Sequence, residues 1–74
     1  MNADQVRSVE FKQRLRGYRI QDVDDFLEEV ARAIDAGQPV APMCDHVAFG
    51  QRMRGYDIEQ VDRFLEQLVE ESGS

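Results

Sequence analysis

Arg16-Gly17-Tyr18 returns 38 residues later as Arg54-Gly55-Tyr56, each time five residues after a phenylalanine (Phe11, Phe49) and ahead of a Val-Asp-x-Phe-Leu run (Val23 to Leu27, Val61 to Leu65). Residues 11 to 30 laid over 49 to 68 agree at twelve of twenty positions. Where Leu15 faces Met53 and Val30 faces Leu68, the apolar character survives the change of residue. The shared quantity is therefore a packing pattern. A unit this small encloses little core alone, so two like units must cover one another or be covered by another chain.

The 74 residues are enough for one small domain, read as two repeats of approximately 4–36 and 42–72 joined by the linker 37–42. A hydrophobic content of 42% with 32% charged residues suits a folded, helix-rich protein. The lone Cys44 excludes an internal disulfide, and no apolar run has the length of a signal core or a membrane span. The expected location is cytoplasmic. Net charge is -6, but its placement is uneven. Residues 7–19 carry Arg7, Lys12, Arg14, Arg16 and Arg19 against Glu10, whereas residues 20–35 carry six acids against Arg32. The second repeat follows the same swing, with Arg52 and Arg54 ahead of an acidic helix. Nucleic acid is a poor partner for such a surface, because phosphates would meet the acidic back of each repeat. Anionic lipid touching only the basic front is compatible with it.

Apolar residues at Ile20, Val23, Phe26, Leu27, Val30 and Ile34 step by three and four and predict an amphipathic helix ended by Gly37. Ile58, Val61, Phe64, Leu65 and Leu68 predict a second, fraying through Glu70 to Ser74. Asp57 can cap that second helix, with Gln60 placed for a capping box, while Arg19 in the first repeat cannot. Residues 4–9 read as a helical turn or an irregular lead-in. Residues 8–16 read as a short helix capped by Ser8 and stopped by Gly17, since Phe11 and Leu15 lie four apart. Gly37 to Pro42, with two prolines, excludes regular helix there. The fold expected is all-α: two repeats of a short helix or loop plus an amphipathic helix. Ile20, Val23, Leu27, Val30, Ile58, Val61, Leu65 and Leu68 would form one shared coiled-coil-like seam. Parallel and antiparallel pairing are both within reach of the linker.

Catalysis has little to work with. Cys44-Asp45-His46 sets a thiol beside an imidazole, but a metal site needs three or four converging ligands and no second histidine exists. Neither an enzyme nor a cofactor or metal site is expected. Tyr18 and Tyr56 read as rings packed under the turn, with a binding platform as the other option. Asp24 and Asp62 suit the start of their helices and could also meet an arginine from the preceding turn. Leu15 and Met53 are harder to place. Each stands between arginines (Arg14 and Arg16, Arg52 and Arg54), the combination of an interfacial anchor whose apolar group enters the acyl boundary while the cations stay with headgroups. Packing inward beneath the tyrosines is the other reading, and both stand at this point.

The order Phe11-x4-Arg16-Gly17-Tyr18-x4-Val23-Asp24-x-Phe26-Leu27, found twice, resembles the N-terminal domain of the DivIVA family of bacterial cell-division and polarity proteins. The likeness covers residues 6–34 and 44–69. It implies intertwined loops at the end of a two-stranded coiled coil. It also implies binding to the inner face of the membrane, at septum or pole, by an exposed apolar residue and the adjacent arginine. Those positions are Leu15 and Arg16, then Met53 and Arg54, with Arg14 and Arg52 alongside. The chain departs from the family pattern in lacking a long coiled-coil tail and in having no aromatic residue at either tip. The function expected is a non-enzymatic division or polarity scaffold recruited to an anionic membrane surface. The partners expected are other division proteins, and either a homodimer or the pairing of the two repeats within one chain. The alternative is a protein-interaction module without membrane contact, whose acidic helix faces dock a basic partner.

Overall fold

Asn2 and Gln5 cap the first helix reciprocally: the Asn2 side chain accepts from the Gln5 amide at 2.8 Å and the Gln5 side chain from the Asn2 amide at 2.9 Å. In the computed structural model, which describes residues 1–72, this helix is α1 (Ala3–Ser8). It is followed by β1 (Gln13–Tyr18), α2 (Ile20–Asp35), α3 (Ala41–Asp45), β2 (Gln51–Tyr56) and α4 (Ile58–Ser72).

As numbers rise through β1 they fall through β2: Gln13 pairs with Tyr56, Arg14 with Gly55, Arg16 with Met53, Gly17 with Arg52 and Tyr18 with Gln51. That sense is antiparallel. One further pairing, Tyr18 with Tyr56, has the parallel sense and belongs to a ladder that is irregular along its length. Beyond the strands, the Arg19 amide donates to the Gly50 carbonyl and the Asp57 amide to the Lys12 carbonyl, both at 2.8 Å. Shifting either bond by 38 positions in each partner gives the other. The two repeats are thus related by a pseudo-two-fold axis through the strand pair.

The architecture is a small mixed α/β domain, which corrects the all-α expectation. Residues 13–18 and 51–56 are strands, so Ser8 ends α1 rather than capping a second helix, and Gly17 lies inside β1 rather than stopping a helix. The shared coiled-coil-like seam is overturned as well. α2 and α4 do not form an extended contact with each other; α2 is covered mainly by α1, and α4 is touched by the shorter α3. Of the residues assigned to the seam, Val23, Leu27, Val30, Val61 and Leu68 are buried, but Ile20, Ile58 and Leu65 are only half-buried. The buried ones belong to one core together with Ala3, Val6, Phe26, Ala31, Ala33 and Val40, supplied mostly by the inner face of α2 and completed by α1, α4 and the loop at Val40 rather than by a continuous seam between the long helices.

Smaller differences have local causes. Ala41 and Pro42, assigned to the linker, begin α3, where proline is tolerated because a first-turn amide has no intrahelical partner. α4 continues through Ser72 without the fraying expected from Glu70 onward; Gly73 and Ser74 lie outside the described residues. Asp57 does cap α4, accepting from the Gln60 amide at 3.0 Å. The Gln60 side chain does not complete a box and accepts from the Lys12 amide at 2.8 Å instead.

Candidate functional site

The loops of the two repeats are exchanged around the pseudo-axis. Tyr18 donates its hydroxyl to Asp62 at 2.7 Å, and Tyr56 donates to Asp24 at 2.9 Å. Each tyrosine therefore reaches the helix of the other repeat. Phe11 lies 5.4 Å from the Tyr56 ring and 5.7 Å from Phe64, and Phe49 lies 5.1 Å from Tyr18 and 5.6 Å from Phe26. These are tilted and edge-on contacts of the kind aromatic quadrupoles favour. Burial, and then the bond to the carboxylate, pushes both phenols up to about 12. The rings do pack within the fold, but against the phenylalanine and aspartate of the other repeat and not beneath their own turn. The partners of Asp24 and Asp62 are tyrosines of the other repeat and not arginines of the preceding turn. Only the equal offset of Tyr and Asp in both repeats hints at that exchange.

Glycine at 17 and 55 allows the crossing. A Cβ on Gly17 would sit well inside 3.0 Å of the Gly55 and Tyr56 backbone, and one on Gly55 would meet the Gly17 and Tyr18 backbone in the same way. Neither neighbour is a side-chain end that could swing away.

Beyond this crossing stand the tips. Leu15 is 78% exposed and Met53 81%, and they are the large exposed hydrophobic residues among those described. Leu15 and Met53 line one open cavity of about 640 Å³ together with Arg16, Gln51 and Arg52, so the two tips form a single patch. Arg14 is tied to Asp57, Nε to Oδ2 at 2.8 Å, which holds the Asp57 carboxyl below its usual range; the Gln60 amide adds to that. Among the described residues, Arg16, Arg52 and Arg54 enter no ion pair. Arg54 also adopts φ 65°, a left-handed conformation that costs a side-chain-bearing residue about 1–2 kcal/mol, whereas its counterpart Arg16 does not.

The remaining candidates do not converge. Cys44 is half-buried at the end of α3 with its thiol pushed up, chiefly by burial, and His46 is exposed beyond the helix. Among the described residues no group of three His, Cys, Asp or Glu side chains is placed to hold a metal ion. Nor is any described helix long and apolar enough to cross a membrane.

The fold and the patch define a pseudo-symmetric α/β module with intertwined loops and an apolar, arginine-flanked end. No protein-family model, curated protein or solved structure matches the chain. The comparisons therefore lend no support to a place among DivIVA, division or polarity proteins, and the coiled coil implied by that resemblance is absent from the described residues.

Proposed function

We propose that the protein is a non-enzymatic scaffold or adaptor that associates with the inner face of a membrane through the paired tips. The observation that carries this reading is the exposure of Leu15 and Met53 on one open cavity with Arg16 and Arg52, which, like the neighbouring Arg54, enter no ion pair among the described residues. A DivIVA type of action, and its setting in division or polarity, rests on the sequence resemblance alone.

Apolar surface is ordinarily withdrawn from water, yet here the two tips present it where the local charge is positive. Full burial of a leucine or methionine in an acyl boundary contributes about 1.5–3 kcal/mol, and each arginine near an anionic surface about 1 kcal/mol. Against this works the overall charge of -6, which is repelled by the same surface over about one Debye length, roughly 8 Å at cellular salt. The balance favours weak, reversible and salt-sensitive association.

Co-sedimentation with vesicles of phosphatidylglycerol and phosphatidylcholine, compared with phosphatidylcholine alone, tests it. The intact protein is expected to pellet with the anionic vesicles and a Leu15→Asp, Met53→Asp variant to stay in the supernatant. Equal pelleting of the two proteins, or of neither, rules the membrane reading out.

A further inference from the structure

The two repeats differ most where α1 and α3 meet the long helices. At the offset of 38, Arg7, Glu28 and Arg32 of the first repeat correspond to Asp45, Glu66 and Glu70 of the second. In the first repeat the carboxylate is enclosed by cations. Arg7 donates to Glu28 through Nε at 3.3 Å and Nη2 at 3.4 Å, Arg32 Nε stands 3.5 Å away, and the Arg7 bonds hold the Glu28 carboxyl below its usual range. In the second repeat both arginines have become acids. Glu66 is left between Asp45 and Glu70, all three are exposed, and none enters an ion pair among the described residues.

The apolar floor changes in the same place. Leu27 and Ala31 are 7% and 0% exposed under α1, but their counterparts Leu65 and Val69 are only half-buried, as is Cys44, which takes the place of the buried Val6. These three and the three acids line a shallow groove of about 430 Å³ between α3 and α4. Within one molecule, then, the same scaffold appears once with its acid ion-paired and its floor buried, and once with its acids unpaired among the described residues and its floor only half-covered.

We propose that this groove docks a basic amphipathic segment of a partner protein. The segment would lay an aliphatic side chain on Leu65 and Val69 and bring two arginines or lysines to Glu66 and its neighbours, supplying in trans what Arg7 and Arg32 supply to Glu28 in cis. A foreign cationic segment is favoured over a second copy, because two chains of charge -6 repel at a distance while a basic segment is drawn in. The tips take no part in this contact, so it stands or falls apart from the membrane reading.

The test is fluorescence anisotropy with a labelled peptide of about 14 residues, leucines on one helical face and arginines on the other, against a scrambled peptide of equal composition. The protein variants are Asp45→Arg, Glu70→Arg, which copies the first repeat, and Asp25→Arg, Glu29→Arg, which makes the same charge change on α2. Arginine in the last turn of α3 and of α4 suits the helix dipole, so the first variant is expected to keep its circular dichroism. The amphipathic peptide should bind the unaltered protein about tenfold more tightly than the scrambled one, lose about tenfold with the groove variant and change less than about threefold with the α2 variant. Equal losses in both variants, equal binding of both peptides, or no binding at all would overturn the proposal. Self-association in sedimentation velocity that Leu15→Asp, Met53→Asp abolishes would overturn the choice of partner, since an arginine-flanked tip of a second copy would then be the occupant.

Discussion

A phenol that donates to a carboxylate across the pseudo-axis binds the two repeats together and also records whether they are together. Tyr18 and Tyr56 are pushed from 10.0 up to about 12, first by burial and then by Asp62 and Asp24. The raised value means that the neutral phenol is favoured by folding. Its contribution is complete below about pH 10 and is lost as pH rises toward 12. Absorbance at about 295 nm should therefore show tyrosinate forming near 12 in the folded protein and near 10 after denaturation in guanidinium. Tyr18→Phe or Tyr56→Phe should lower the unfolding free energy by about 1.5 kcal/mol, the low end for a hydrogen bond to a charged group, because these bonds are partly wet. Two tyrosines titrating at 10 in the native state would mean that the exchange does not occur.

At the scale of elements, the crossing of β1 and β2 is the least forgiving part. Gly17→Ala or Gly55→Ala puts a methyl group into the opposing backbone, and chemical denaturation is expected to show a loss of about 2–3 kcal/mol or more for each, where a substitution at exposed Gln51 costs little. α2 and the start of α4 were legible in the sequence because helix hydrogen bonds are local and their apolar residues recur at three and four. The strands were not. Phe11 and Leu15 sit four apart and imitate a helical face, yet Phe11 packs on the other repeat's Tyr56 and Phe64 while Leu15 points to solvent. A strand's partner lies far along the chain, and only the repeat itself announced that such a partner existed. The tips were legible as residue types, since an apolar side chain between arginines is conspicuous, but their exposure followed from the crossing that local pattern did not reveal. The α3–α4 groove was missed although its signal, the replacement of Arg7 and Arg32 by Asp45 and Glu70, lay in the aligned repeats throughout.

Over the whole molecule, the pairing of the repeats is internal. Bonds from Asp57 to Lys12, Arg19 to Gly50, Tyr18 to Asp62 and Tyr56 to Asp24 all close within one chain. The melting temperature is therefore expected to stay constant between about 1 and 100 µM protein, whereas folding that required a second chain would melt lower on dilution. Differential scanning fluorimetry over that range decides the matter, and a melting point that climbs with concentration would show that assembly completes the fold. The linker from Gly37 to Val40 carries a further consequence. When two identical polypeptides make a symmetric pair, every change in the gene is written into both sides at once. Here each side has its own codons, so one face can drift toward a new ligand while the other keeps its old one, and a single small protein can come to hold two unlike things at the same time.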